Sequence, residues 1–61
     1  MYERFAQLLE ERNITAAAVA KETGISNATL SDWKRGVSNP KVDKLIKLAE
    51  FFGVPIDYFV K

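Results

Sequence analysis

The sequence predicts an all-α domain of five short helices, and three observations carry that prediction. Apolar residues recur at helical i, i+3, i+4 spacing in successive segments. Most of those segments close on a glycine or an asparagine, and no run of alternating apolar and polar residues marks a strand. Sixty-one residues allow one domain, expected over 1–61. A chain of this size buries only about 60% of the surface it exposes when unfolded, so its helices must pack closely or find a partner.

The first helix is expected over residues 2–12. Phe5, Leu8, Leu9 and Arg12 follow the i, i+3, i+4, i+7 rule with Tyr2 one turn earlier, Glu3, Glu10 and Glu11 form its polar side, and Asn13 marks its end. Ile14 anchors the chain and Thr15 can cap a second helix over 16–23, whose leading alanines favour helicity without adding bulk. Gly24 ends it. A third helix over 27–35 carries Leu30 and Trp33 at i, i+3 and stops at Gly36, after which Val37, Ser38 and Asn39 make a polar loop. Pro40 suits the first turn of a fourth helix over 41–52, with Val42, Leu45, Leu48, Ala49 and Phe52 as its apolar stripe and Gly53 as its end. Pro55 opens a final helix over 55–60 that turns Ile56, Phe59 and Val60 inward. Trp33 is expected in the core against the fourth helix, while Phe51 and Tyr58 flank the inward stripe and either cover the core's edge or meet another chain.

Composition narrows the function. There is no cysteine and no histidine, which removes disulfides, thiolate chemistry, imidazole bases and the usual zinc ligands. Neither a cofactor nor a metal is expected, and an enzyme has little raw material here. The apolar stretches fall far short of the roughly 20 residues of a membrane span, and the opening MYERFAQLLEER is charged and amphipathic, so a cytoplasmic protein without a membrane partner is expected. The net charge of +1 says little, but its distribution says more. Lys34, Arg35, Lys41, Lys44 and Lys47 face only Asp32 and Asp43 between residues 26 and 47, and the rest of the chain is net acidic. A phosphate-facing surface requires such asymmetry, although a charged run on a helix is also what a merely solvated face looks like.

The segment AAAVAKETGISNATLSDWKRG, residues 16–36, holds the most specific pattern. Two helices joined by a three- or four-residue turn cross at roughly 90–120° and approach closely at one point, so nothing larger than a methyl fits at Ala20. Gly24 accepts the positive φ that often follows a helix, Ile25 drops into the core, and Ser26 can accept a bond from a backbone N–H of the next helix. Close crossing, left-handed exit, apolar anchor and cap together read as a helix-turn-helix.

With that motif in place, almost the whole chain resembles the Cro/repressor-like, XRE-type helix-turn-helix domains of phage repressors and bacterial transcription regulators. PKVDKLIKLAEFFGVPIDYF is similar to the family's closing pattern, a proline-started fourth helix with L-x-x-L-A, a glycine, then a short fifth helix after V-x-I-D. EERNIT is similar to the end of its first helix and the entry into the second. The resemblance implies a compact five-helix, lambda-repressor-like fold, binding to a double-stranded DNA operator as a homodimer, in a bacterial or phage-infected cell.

The resemblance also implies that the third helix lies in the major groove with its first residues at base edges, here Asn27 and Ala28, followed one turn on by Ser31 and Asp32. Helix geometry agrees with that assignment. With Leu30 and Trp33 as the buried direction, a rotation of about 100° per residue puts Ala28, Ser31, Asp32 and Arg35 on the opposite face, flanked by Asn27 and Lys34. Asn27 can pair with adenine, Ala28 can touch a thymine methyl, Asp32 can accept from cytosine, and Arg35 can reach a phosphate or guanine. Thr15 and Ser26 sit at helix N-termini whose backbone N–H groups favour a phosphate, and Lys41 can add another phosphate contact. Two positions depart from the family pattern. Ala16 stands where many members carry a glutamine that bonds phosphate or braces the reading helix, and the Asp32 carboxylate repels phosphates unless it meets a cytosine amino group or pairs with Arg35 at i+3.

Two functions of different class follow. The leading one is a sequence-specific DNA-binding transcriptional regulator that represses by occupying an operator. The alternative is the same fold kept as a protein-interaction module, antitoxin-like, with DNA binding weakened or lost, which Ala16 and Asp32 would fit.

Overall fold

The helical periodicities form where the sequence places them: α1 (Tyr2–Arg12), α2 (Ala16–Thr23), α3 (Asn27–Lys34), α4 (Val42–Phe52) and α5 (Asp57–Val60). The computed structural model describes residues 2–60, so the first and last positions of the domain expected over 1–61 lie outside the described residues. No strand occurs among the described residues.

Local chemistry sets the helix ends. After α1, Asn13 takes a left-handed φ of 55°, a conformation that glycine adopts freely and that asparagine tolerates better than most other residues. Its N–H donates to the Glu10 carbonyl at 3.2 Å and that of Ile14 to the Leu9 carbonyl at 3.0 Å, which satisfies two carbonyls that the helix leaves open. Ile14 and Leu9 both pack against the core, as this type of helix end requires of the residues it brings together. Gly53 closes α4 in the same way, with the Val54 N–H donating to the Ala49 carbonyl at 3.0 Å.

Three boundaries differ from those expected. α3 ends at Lys34, and Arg35 is its C-cap rather than its last turn. α4 starts at Val42 instead of 41, with Lys41 as an extended N-cap, and Pro40 is buried in the incoming loop rather than opening the helix. α5 starts at Asp57, and Pro55 lends only its carbonyl, which accepts from the Tyr58 N–H at 3.0 Å. In each case the terminal residue belongs to a cap or a tight first turn whose hydrogen bonds the apolar spacing does not encode.

The core joins Phe5 and Leu8 of α1, Val19 and Ala20 of α2, Ile25 of the turn, Leu30 and Trp33 of α3, Leu45, Leu48, Ala49 and Phe52 of α4, and Phe59 of α5. α2 packs on α3 and α4, and α1 packs on α5. Val42 was expected inside but is 65% exposed, because it occupies the first turn of α4 at the margin of the stripe. Val60 is likewise turned out, at 51% exposed on the last turn of α5.

Trp33 is buried as expected, and the aromatic rings around it come from α1 and α5. Its ring lies 5.2 Å from Phe5 and 5.5 Å from Tyr2 of α1, and 6.3 Å from Phe59 of α5, measured between centroids. It therefore wedges the end of α3 against the α1–α5 pair, and the tilted and edge-on ring geometries are the favourable ones for aromatic packing. Arg12 adds a polar tie across the fold. Its Nη2 donates to the Phe52 carbonyl at 2.9 Å while the guanidinium sits 5.7 Å from the Phe52 ring centroid, so a cation closes the negative end of α4.

Candidate nucleic-acid interface

The α2–α3 junction is held by a close crossing and five short-range hydrogen bonds. Ala20 is only 6% exposed at the crossing, and Gly24, at φ 79°, donates its N–H to the Ala20 carbonyl at 2.9 Å. The Thr23 hydroxyl donates to the Val19 carbonyl at 2.7 Å and accepts from the Ile25 N–H at 3.3 Å, which fastens both sides of the turn. Ser26 caps α3 by accepting from the Thr29 N–H at 3.1 Å, and its hydroxyl also lies 2.8 Å from that of Thr29. Thr23 and Thr29 are participants the sequence reading missed. A threonine in the last turn of a helix, able to bond back to the i−4 carbonyl, was the available signal for the first.

That junction fixes which face α3 presents. Leu30 and Trp33 are buried, while Asn27, Ala28, Ser31, Lys34 and Arg35 are exposed. Asp32 is partly exposed, and its Oδ1 lies 3.8 Å from Nη1 of Arg35. Beyond the helix, Gly36 turns the chain at φ 74°, and the Val37 and Ser38 N–H groups donate to the Asp32 carbonyl at 2.9 and 3.4 Å. The outward-facing residues thus stand on a helix capped at both ends, with the Asp32–Arg35 pair among them.

The other predicted residues fall at two helix starts. Thr15 caps α2 by accepting from the Ala18 N–H at 3.1 Å, and Ala16 begins that helix half-buried against the core. With its methyl packed, Ala16 has only a backbone N–H to offer a phosphate. Lys41 caps α4 without a side-chain cap bond and is exposed, so its ammonium stays available. Ser38 and Asn39 are exposed on the loop between Gly36 and Lys41, and only the loop's polarity had pointed to them. Among the described residues, no group of His, Cys, Asp or Glu side chains is arranged to hold a metal ion, and no helix is long and apolar enough to cross a membrane.

A family model described as helix-turn-helix matches residues 5–59, nearly the whole chain and all of the junction just described. The chain belongs to the XRE-type helix-turn-helix family. It is similar, at 34% identity over 53 residues, to the cryptic phage CTXphi transcriptional repressor RstR of Vibrio cholerae, an alignment that covers 87% of this chain and 48% of the relative. Repressor protein C2 of Salmonella phage P22 is 31% identical over 61 residues, or 100% of this chain and 28% of its own length. An uncharacterized HTH-type transcriptional regulator of Haemophilus influenzae is 32% identical over 56 residues, or 92% of this chain and 23% of its own length. The chain thus spans less than half the length of each of these curated relatives. No solved structure matches it at a significant level.

Proposed function

We propose that this XRE-type helix-turn-helix domain is a sequence-specific, double-stranded DNA-binding transcriptional regulator that represses by occupying an operator. The observation that carries the reading is the outward face of α3. It bears Asn27, Ala28, Ser31, Asp32 and Arg35 opposite the buried Leu30 and Trp33, on a helix braced at both ends. An α-helix fits the major groove, and amide, hydroxyl, carboxylate, guanidinium and methyl groups at its surface are the types that read base edges there. The starts of α2 and α4, with Thr15, Ala16 and Lys41, offer backbone N–H groups and one ammonium to phosphates. The repressors RstR and C2 among its relatives support the same direction of regulation.

Duplex binding measured across a salt series tests this. Phosphate contacts release counterions, so the logarithm of the binding constant should fall linearly with the logarithm of salt concentration, by about 0.9 per phosphate engaged. Specific binding with that dependence is the expected result. Absence of duplex binding at low salt would favour the protein-interaction reading.

A further inference from the structure

We propose that Asp32 and Arg35 form a base-gated pair, in which the identity of one base pair decides whether Arg35 is free to hold a phosphate; this rests on the major-groove placement of α3. The two side chains lie one turn apart on the same outward face, with Nη1 of Arg35 3.8 Å from Oδ1 of Asp32 and exposures of 65% and 40%. An exposed pair at that distance adds little to stability, so the fold does not need it. Its effect falls on the face that must meet a polyanion, where it neutralises a cation and sets a carboxylate beside it.

Both groups have a second partner available on DNA. The Asp32 carboxylate can accept from a cytosine amino group, and the Arg35 guanidinium can bond a phosphate. The exchanges are linked once the groove displaces water from the carboxylate, because there Arg35 leaves Asp32 at little cost only when another donor takes its place. At cytosine the amino group supplies that donor, and Arg35 turns to the backbone. At thymine the groove edge offers an acceptor and a methyl, which give the carboxylate no donor and leave it paired with Arg35. The backbone suits such an exchange. The Asp32 carbonyl is fixed by the Val37 and Ser38 N–H groups, and Arg35 is the C-cap residue just before the left-handed Gly36, so the side chains can repartner without moving the helix.

The consequence is that one base change alters the number of phosphates held as well as the affinity. The test measures salt slopes for the chain on a duplex selected from a random pool, and on the same duplex with cytosine replaced by thymine at the position whose preference Asp32→Ala abolishes. For the unaltered chain the slope should be shallower on the replaced duplex by about 0.9, one phosphate contact. Asp32→Asn should remove the difference by steepening the slope on the replaced duplex, with an affinity gain there of up to about fivefold, the worth of an exposed pair. Arg35→Gln should make both slopes equal and shallow. Equal slopes in the unaltered chain despite different affinities would overturn the gate while leaving groove reading intact, as would the lack of any cytosine preference tied to Asp32. No salt-dependent duplex binding at all would overturn the groove placement itself.

Discussion

At Gly24 and Ala20 single atoms decide whether the motif can form. Nothing lies within 4 Å of where a Cβ would stand on Gly24, so its φ of +79° is the whole constraint there. Gly24→Val should cost about 1–3 kcal/mol from backbone strain, and Gly24→Asn clearly less, because asparagine tolerates that region. Ala20 is limited by space instead, being 6% exposed at the crossing. Ala20→Leu should cost about 1–3 kcal/mol by overpacking. Denaturant unfolding followed through Trp33, the sole tryptophan and 2% exposed, measures all three, and equal stability of the Val and Asn variants would show that strain is not the cause. The proposed function divides Asn27 on α3 and Lys41 before α4 between reading bases and holding phosphates. Asn27→Ala should lower discrimination at one base pair by about 1–3 kcal/mol with the salt slope nearly intact, whereas Lys41→Ala should weaken binding to all sequences and lower the slope by about one. Matched and mismatched duplexes titrated at several salt concentrations separate the two.

Elements are held mainly by what happens at their ends. α1 and α4 are joined by the Arg12 side chain on the Phe52 carbonyl, a bond across 40 positions of sequence. Arg12→Ala should lower stability by about 1 kcal/mol, because a charged hydrogen bond and a ring contact are lost from a partly exposed site. Arg12→Lys should recover only part of that loss, since an ammonium lacks the planar fork. Unfolding midpoints of the two variants check the order. Such ends also show what was legible in the sequence. The spacing of Phe5, Leu8 and Leu9, or of Leu45, Leu48, Ala49 and Phe52, encodes a buried stripe directly, and Ser26 and Gly24 encode cap and exit through their own chemistry. Trp33 is different: i, i+3 spacing from Leu30 gives the direction it faces, but which helices wait there depends on how α1 and α5 fold back. Lys41 and Pro40 were placed about one position too far into α4, because the bonds that start the helix are made by backbone groups that every residue carries. Of the candidate site, the exposed face of α3 could be read from rotation alone, whereas the Thr23 and Thr29 hydroxyl contacts needed the turn's geometry.

For the whole molecule, the homodimer that the family resemblance implies needs a surface for a second copy. Phe51 is 37% exposed and Val60 51% exposed, and Tyr58 is half-buried, held under the Arg4 guanidinium at 5.2 Å from its ring centroid. A symmetric contact through this edge would cover it and set two α3 helices about 34 Å apart, one turn of duplex. Phe51→Glu should then weaken binding to paired half-sites about tenfold or more, equal to 1.4 kcal/mol, and leave binding to an isolated half-site unchanged. The most direct test of groove reading by α3 is a selection of bound duplexes from a random DNA pool, run in parallel with the Asn27→Ala and Ser31→Ala variants. Enrichment of pseudo-palindromic sites with half-sites one turn apart, in which each variant relaxes a different base position, is the predicted result. Identical enriched sequences from all three proteins, or no enrichment from any of them, would contradict it.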